Sequence, residues 1–200
     1  MRLVFPDNGS VCACVCGIDP GTNRLGLAAM DFNMATVSIQ SIEAETFRSE
    51  LLLETDDLIL EAHSERTSKI YAQKDNLVRQ FRFYRPYAVC CESPFYNRLR
   101  PSAYGPLMEI LFAIRMACIE YDRTVKLFFY EPSVIKKAVG AHAIGSKDAV
   151  KQALFAKKDW QSVLKTPFET LDEHSLDAIA VCYTHLTKVL EYRDHACCSK

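Results

Sequence analysis

One stretch of the sequence decides the fold: Val15-Cys16-Gly17-Ile18-Asp19-Pro20-Gly21-Thr22-Asn23. An apolar strand ends there in an aspartate, and the chain turns at once through a proline and a glycine. The strand would hold the Asp19 carboxylate at its end, next to backbone that Gly21 lets a phosphate approach closely. Asp-Pro-Gly is also an ordinary turn signature, and on this segment alone both interpretations stay open.

Two further acidic residues lie at the borders of apolar elements. Glu92 closes the apolar run 87–91, which is typical of a buried central strand, and Asp177 begins a strongly apolar helical stretch. His174 lies three residues before Asp177, so the two side chains project from one helix face. Each acid also has a simpler explanation. Glu92 could emerge into solvent, and Asp177 could be favoured by the helix dipole while His174 lies at the surface or in the core.

The three acids and His174 together would build a site for hard divalent cations such as Mg²⁺, which prefer oxygen ligands. Two such ions a few ångström apart can activate water and stabilise the leaving oxygen of a phosphodiester. With this site the sequence resembles the RuvC family of Holliday junction resolvases, which are ribonuclease H-like nucleases. The resemblance includes the phage-type members of that family. The resemblance extends from Gly17 to His185. Five motifs carry it, in the family's order and at similar spacing: Gly17–Gly26, Glu92–Phe95, Pro132–Gly140, Gly145–Lys147 and His174–Ala180.

The resemblance implies both a fold and an active site. The fold is α/β, a ribonuclease H-like mixed five-stranded sheet flanked by helices on both faces. Asp19, Glu92 and Asp177 fall on the family's metal-binding carboxylates, and His174 stands at its fourth acidic position, where an imidazole can still ligate metal or position water. These four residues are the expected metal ligands. The expected cofactor is Mg²⁺, with two ions per active site, and Mn²⁺ is expected to substitute for it.

The same resemblance predicts the residues that meet DNA. Lys136 and Lys147 match two catalytic lysines that neutralise phosphate charge near the scissile bond. Phe95 matches an aromatic residue that contacts bases at the junction centre, and Tyr96 beside it widens that stacking platform. The remaining expected DNA-binding residues are Arg98, Arg100, Lys137, Asn23 and Arg24.

The function implied is that of a magnesium-dependent endodeoxyribonuclease, a crossover junction endonuclease, which resolves four-way DNA junctions by paired nicks. Two alternatives stay open. One is a related endonuclease that cuts other branched DNA, such as flaps, forks or replication intermediates, and the other is a junction-binding protein without cleavage. Sugar-kinase and actin-like ATPases also hold phosphate with such a turn, but they need a second glycine-rich phosphate loop, which the 200 residues do not contain.

A homodimer is expected, because symmetric resolution of a two-fold junction needs two sites related by a two-fold axis. The resemblance places the interface on helix 102–121, whose apolar residues cover more than one stripe. These residues are Leu107, Ile110, Leu111, Ile114, Met116, Ala117, Cys118 and Ile119. The alternative is that this helix is buried within the monomer.

The composition agrees with one globular domain that acts on a polyanion. With 200 residues, 49% of them hydrophobic, the chain predicts a single domain over 1–200, with its core at about 11–190 and a disordered tail at 191–200. The net charge is only −1, but segments 65–108 and 126–165 each carry eight Lys or Arg against three acids. Such segments suit DNA, although solvated helix faces are the commoner explanation for any one charge.

Nine cysteines by themselves would suggest the disulfides of a secreted protein, but two other observations predict a reduced intracellular protein instead. Residues 1–7 offer no apolar signal segment, and Cys12, Cys14 and Cys16 alternate along a strand like small core residues. By sequence, we expect no apolar run long enough to span a bilayer and therefore no membrane partner. We therefore expect a cytoplasmic protein, in the host cytoplasm if the chain is viral.

Apolar periodicity and turn residues predict the order of the elements. Strands are predicted at 11–18, 25–31, 35–42, 87–92 and 125–130. Helices are predicted at 64–84, 102–121, 132–139 and 173–190, with a further helix that Ser146 opens as its N-cap. Three strands followed by alternating helices and strands predict a mixed sheet with helices on both faces.

Overall fold

A computed structural model describes residues 12–52, 57–94, 101–141, 149–157, 160 and 162–198. Its strands are β1 (Cys12–Asp19), β2 (Arg24–Asn33), β3 (Ile39–Arg48), β4 (Ala88–Glu92) and β5 (Lys126–Tyr130). The α-helices of the described residues are α1 (Ser49–Leu52), α2 (Asp57–Ala62), α3 (Glu65–Tyr84), α4 (Tyr104–Tyr121), α5 (Pro132–Val139), α6 (Ala149–Phe155) and α7 (Glu173–Cys198). Short 3₁₀ turns lie at Pro101–Ala103 and Phe168–Thr170.

The five strands form one mixed sheet in the order β3-β2-β1-β4-β5. β2 is antiparallel to both β1 and β3, whereas β1, β4 and β5 run parallel to one another. The carboxyl ends of β1 and β4 therefore meet at the same end of the sheet. This topology confirms the predicted mixed five-stranded sheet.

Helices cover both faces of the sheet. Leu25 and Leu27 of β2 belong to a buried cluster with Phe81 of α3 and Ile114 of α4. Side chains alternate between the two faces along a strand, so Ala28 belongs instead to a second cluster, built with α5, α6 and α7. The two clusters confirm that the sheet is flanked by helices on both faces.

Helix α7 packs unusually close to β1 because β1 contains Gly17. A Cβ atom added at Gly17 would lie 2.4 Å from the carbonyl oxygen of Ala178 and 2.7 Å from Cys182 Sγ. Any side chain at this position would therefore push the helix off the sheet. The glycine of the first motif thus sets the distance between the sheet and the helix that carries His174 and Asp177.

Helix α3 follows its prediction closely because both of its ends carry strong signals. The Ser64 side chain caps the helix by accepting a hydrogen bond from the Thr67 backbone N–H at 3.1 Å. Arg85 adopts a left-handed conformation, with φ of 51°, and its N–H donates to the Phe81 carbonyl. Pro86 follows directly and prevents any further helical turn.

Strand β3 is displaced from its prediction. It spans Ile39–Arg48 instead of 35–42. The Asn33 side chain accepts hydrogen bonds from the N–H groups of Ala35 and Thr36, so a side-chain-stabilised turn occupies the predicted start of the strand. The strand then continues to Arg48, six residues beyond its predicted end at residue 42.

The last helix is longer than predicted, and two short helices were missed. The predicted end of the last helix at Leu190 is wrong, because α7 continues to Cys198. No glycine or proline occurs between Glu173 and Cys198 to end it. The short helices α1 and α2 were not predicted. The helix that Ser146 was expected to open is described from Ala149 onward, and Ser146 lies outside the described residues.

Helix α4 has a buried and an exposed side. Of the eight residues predicted at an interface, Ile110, Leu111, Ile114, Ala117 and Cys118 are buried within this chain. Met116 and Ile119 are exposed, and Leu107 is partly buried. The helix therefore fills the core with one side and keeps apolar residues on the other.

This helix also bears on the membrane prediction. Within the described residues, Pro101–Tyr121 is long and apolar enough to cross a membrane, judged by length and composition alone. The expectation that no apolar run reaches that length is therefore wrong. Its apolar residues are spread around the helix, and 33% of its most apolar 18-residue stretch is buried. Core helices meet the same criterion, so it does not by itself assign the helix to a membrane.

The cysteines described by the structure are free thiols. Cys14, Cys16, Cys90, Cys91, Cys118 and Cys182 are buried, and Cys12 is exposed. Burial raises the pKa of the Cys16, Cys90 and Cys182 thiols well above the usual range. The buried six therefore behave as small apolar core residues, which confirms the prediction for Cys14 and Cys16, whereas the prediction for Cys12 is wrong.

Candidate active site

Two of the predicted acids end neighbouring parallel strands. Ile18 of β1 pairs in register with Cys91 of β4, so Asp19 and Glu92 occupy the next position on each strand. Ile18 and Cys91 face the cluster formed with α3 and α4. Because side chains alternate, Asp19 and Glu92 face the opposite side, where α7 lies.

Helix α7 brings the remaining two residues to the same place. Gly26, which pairs with Asp19, faces the first turn of α7. A Cβ atom added at Gly26 would lie 2.1 Å from the carbonyl oxygen of His174, so the helix can begin here only over a glycine. At this separation His174 Nδ1 lies 2.7 Å from Asp19 Oδ2. The structure thus joins the first and last motifs of the sequence by a hydrogen bond.

The start of α7 is anchored to the sheet by Asp172. The Ser175 N–H donates to Asp172 Oδ1 at 3.0 Å, and Thr46 Oγ1 of β3 donates to the same oxygen at 2.5 Å. Burial acts to raise the pKa of Asp172, but these hydrogen bonds outweigh it and lower the pKa. Asp172 is therefore an ionised cap that ties the helix to β3. Sequence motifs do not reveal the role of Thr46, because it depends on pairing across the sheet.

The carboxyl groups at this site repel one another. Burial first, then the charges of Asp19 and Asp177, raise the pKa of Glu92 to about 7. Burial and the charges of Asp19 and Glu173 likewise raise the pKa of Asp177 to about 7. Burial raises the pKa of Asp19 as well, although the hydrogen bond with His174 opposes the shift. The site is therefore a partly buried cluster of carboxyl groups whose ionised forms a bound cation would stabilise.

Two basic side chains act on this charge. The hydrogen bond to Asp19 raises the pKa of His174, against the effect of burial. The charge of Lys136, on α5, acts to lower the pKa of both Glu92 and Asp177. Lys136 is thus close enough to both acids to belong to the site, whereas Lys137 beside it is exposed.

The donor set suits a hard divalent cation. It offers the carboxylate oxygens of Asp19, Glu92 and Asp177, with the imidazole of His174 beside them. Among the described residues, however, no group of three or more such side chains is already close enough to count as a metal cluster. Carboxylates repel one another until a cation joins them, so the chemistry of the donors fits Mg²⁺ while its ligand geometry is not preformed.

The predicted DNA-binding residues are described only in part. Asn23 and Arg24 are exposed beside the site, where the Asn23 carbonyl accepts a hydrogen bond from the Ser49 N–H at 3.0 Å. Lys69 Nζ donates to Asn23 Oδ1 at 3.2 Å, a contact that the sequence did not predict. Five predicted residues lie outside the described residues: Phe95, Tyr96, Arg98, Arg100 and Lys147.

Comparison with known proteins identifies the fold. No protein-family model and no curated protein sequence matches the chain. RuvC of Thermus thermophilus is 24% identical, with a TM-score of 0.59 over 86% of this chain and 92% of that one. The same protein in complex with a Holliday junction substrate is 22% identical, with a TM-score of 0.63 over the same shares.

Two other solved structures share the architecture. The yeast mitochondrial Holliday junction resolvase Ydc2 is 10% identical, with a TM-score of 0.63 over 96% of this chain and 84% of that one. The fowlpox virus Holliday junction resolvase is 12% identical, with a TM-score of 0.57 over 88% of this chain and 99% of that one. These likenesses confirm the predicted fold, the ribonuclease H-like fold of the RuvC-type resolvases.

Proposed function

We propose that this protein is a magnesium-dependent endodeoxyribonuclease that resolves four-way DNA junctions by paired nicks. The observation that carries the proposal is the position of Asp19, Glu92 and Asp177, which are partly buried at one end of the sheet, where desolvation and neighbouring acids raise the pKa of each carboxyl group. A fold shared with Holliday junction resolvases supports the choice of substrate. A catalytic centre accounts for why a small domain keeps three mutually repelling acids.

The chain's own residues have distinct parts in this proposal. Asp19, Glu92 and Asp177 would hold the metal, and two bound Mg²⁺ ions would supply activation of water and stabilisation of the leaving oxygen. His174 Nδ1 donates to Asp19 Oδ2, which orients that carboxylate and leaves its second oxygen for a cation. The Lys136 ammonium would stabilise the charge that grows on the phosphate during cleavage.

We also propose a homodimer that uses the exposed side of α4. Met108, Phe112, Met116 and Ile119 are exposed and recur every three or four residues, so they form one apolar stripe along the helix. If two copies of the protein paired these stripes about a two-fold axis, the dimer would carry two active sites, one for each nick. Ile114 is fully buried in the core of the chain, so a charge placed there would test folding and not the interface.

The buried free thiols support a reducing compartment, for which we propose the cytoplasm. Flaps and forks remain the alternative substrates, and a binding protein without nuclease activity remains the alternative class.

A panel of labelled branched DNAs tests the substrate. The purified protein would be incubated with Mg²⁺ and a four-way junction, a flap, a fork and a linear duplex of matched sequence. We expect paired cuts at related positions in the four-way junction and little cutting of the duplex. Faster cutting of flaps or forks would assign the related endonuclease instead, and tight junction binding without cuts in Mg²⁺ or Mn²⁺ would assign a binding protein.

A further inference from the structure

Two arginines face each other beside the candidate site. Arg24, the first residue of β2, pairs in register with Arg48, the last residue of β3. Residues directly opposite on antiparallel strands share one face of the sheet, with Cβ atoms about 5 Å apart. Both arginines are exposed. Like charges in this position destabilise a sheet, so the pair weakens the fold where it stands.

The repulsion between these arginines has no acidic partner to relieve it among the residues that the structure describes. Neither guanidinium forms an ion pair with a described acid. The nearby Lys69, by contrast, forms an ion pair in which its Nζ lies 2.6 Å from Glu65 Oε1, and the same Nζ donates a hydrogen bond to Asn23 Oδ1. The two arginines therefore present to solvent a double positive charge that no ion pair with a described acid compensates.

The register places this pair on the side of the sheet that carries the site. Asp19 pairs with Gly26, and Gly26 pairs with Thr46. The Thr46 hydroxyl donates a hydrogen bond to Asp172, the residue that caps α7. Arg24 and Arg48 lie two residues beyond Gly26 and Thr46, so they face the same side. At about 3.4 Å per residue, the pair stands about 7 Å further along the sheet. Successive phosphates of one DNA strand are about 3.4 Å apart along the helix axis, so about 7 Å corresponds to about two phosphates.

We propose that Arg24 and Arg48 together clamp one backbone phosphate of the strand that is cut, next to the scissile phosphate. The proposal rests on the proposed function and adds to it a second phosphate site. A guanidinium offers a planar fork of donors that matches phosphate oxygens, and a phosphate between two forks attracts both of them more strongly than they repel each other. DNA binding thereby recovers the stability that the pair costs in the free protein.

The resemblance to the resolvase family predicts that Arg24 contacts DNA, but it predicts no role for Arg48. The two residues are far apart in the sequence, and only the pairing of β2 with β3 brings them together. The clamp is therefore a property of the fold and not of a motif.

The test compares two double variants of equal charge. Arg24→Gln with Arg48→Gln removes the clamp. Arg79→Gln with Arg123→Gln removes two exposed arginines elsewhere, one on α3 and one in the turn before β5, at the other end of the sheet from the site. Affinity for a synthetic four-way junction would be titrated in EDTA at several salt concentrations, and thermal melting of each protein would be recorded.

Loss of the clamp has a specific signature in these measurements. We expect about tenfold weaker binding, since charge-assisted hydrogen bonds are lost, and a salt dependence whose slope falls by about one unit. The control variant should keep the slope of the wild type. Because a repulsion is removed, the clamp variant should melt at the wild-type temperature or above. Equal slopes for the two variants, or a lower melting temperature for the clamp variant alone, would overturn the proposal.

Neutral linkages locate the phosphate. Junctions that carry a single methylphosphonate at successive positions near the cut would be cleaved in Mg²⁺ by each protein. In the wild type one such linkage beside the cut should slow cleavage, and in the clamp variant that same linkage should have no further effect. Slowing by the same factor in both proteins at every position would refute the clamp. A wild-type protein that cuts no branched DNA would refute the proposed function instead.

Discussion

Replacement of Gly26 by alanine tests whether the position of α7 controls the site. The new Cβ atom would lie 2.1 Å from the His174 carbonyl oxygen, whereas ordinary van der Waals contact begins at 3.4 Å. The two backbones must therefore separate by about 1.3 Å. Because β2 lies between β1 and β3 inside the sheet, the first turn of α7 has to move.

The size of the effect follows from this displacement. The contact between His174 and Asp19, now 2.7 Å, would lengthen to about 4 Å and cease to be a hydrogen bond. Overpacking of this kind costs about 1–3 kcal/mol, which is less than the about 5–15 kcal/mol of a typical domain, so the variant should fold. A misplacement of about 1 Å at a catalytic site costs roughly 10²-fold in rate.

The assay is single-turnover cleavage of a four-way junction at saturating Mg²⁺, with circular dichroism and melting as checks on folding. Gly105→Ala is the matched control, because an added Cβ atom at Gly105 meets nothing within 4 Å. We expect the Gly105 variant to cleave at the wild-type rate and the Gly26 variant to be about 10²-fold slower. A folded Gly26 variant that cleaves within threefold of wild type would refute the reasoning that α7 positions the site.

Three further predictions address charge, catalysis and assembly. Without metal, the raised pKa values of Glu92 and Asp177, about 7 each against 4.5 and 3.8 ordinarily, mean that the folded protein binds more protons than the unfolded chain between about pH 4 and 7. In EDTA the melting temperature should thus fall as the pH rises from 5 to 8, and Mg²⁺ should restore the melting temperature most at pH 8. Glu92→Gln should raise the melting temperature at pH 8 and abolish cleavage. A melting temperature in EDTA that does not change with pH would contradict this charge balance. Lys136→Ala should slow single-turnover cleavage by roughly 10²-fold at saturating enzyme, whereas Lys137→Ala should weaken binding and leave that rate unchanged; equal effects in the two variants would remove Lys136 from the site. Phe112→Glu should halve the mass measured by light scattering without loss of helical circular dichroism, and a mass of 22.7 kDa already in the wild type would contradict the dimer.

Most of the correct predictions rest on sequence signals at the ends of strands and helices. Asp19 and Glu92 each follow a short apolar run, and parallel pairing brings such strand ends together whatever lies between them. Ser64 and Pro86 similarly mark α3, because a cap and a proline act within one helical turn. Local signals of this kind need no knowledge of the rest of the fold.

The remaining features depend on contacts between distant segments. The pairing of Arg24 with Arg48, and the bond from Thr46 to Asp172, exist only once β2, β3 and α7 are assembled. The close approach of His174 to Gly26 likewise gives that glycine a role that its sequence neighbours do not reveal. Strand β3 was misplaced for a related reason, since a side-chain turn at its predicted start competes with apolar periodicity.

Cleavage of a synthetic four-way junction by wild type and Asp19→Asn, each in EDTA and in Mg²⁺, tests the central claim most directly. Asparagine keeps the shape of the side chain at the end of β1 but lacks the charge that a metal needs. We predict paired nicks only for the wild type in Mg²⁺, with junction binding retained by the variant. Cleavage by the variant at a rate near that of the wild type, or no cleavage by the wild type in either Mg²⁺ or Mn²⁺, would contradict the account.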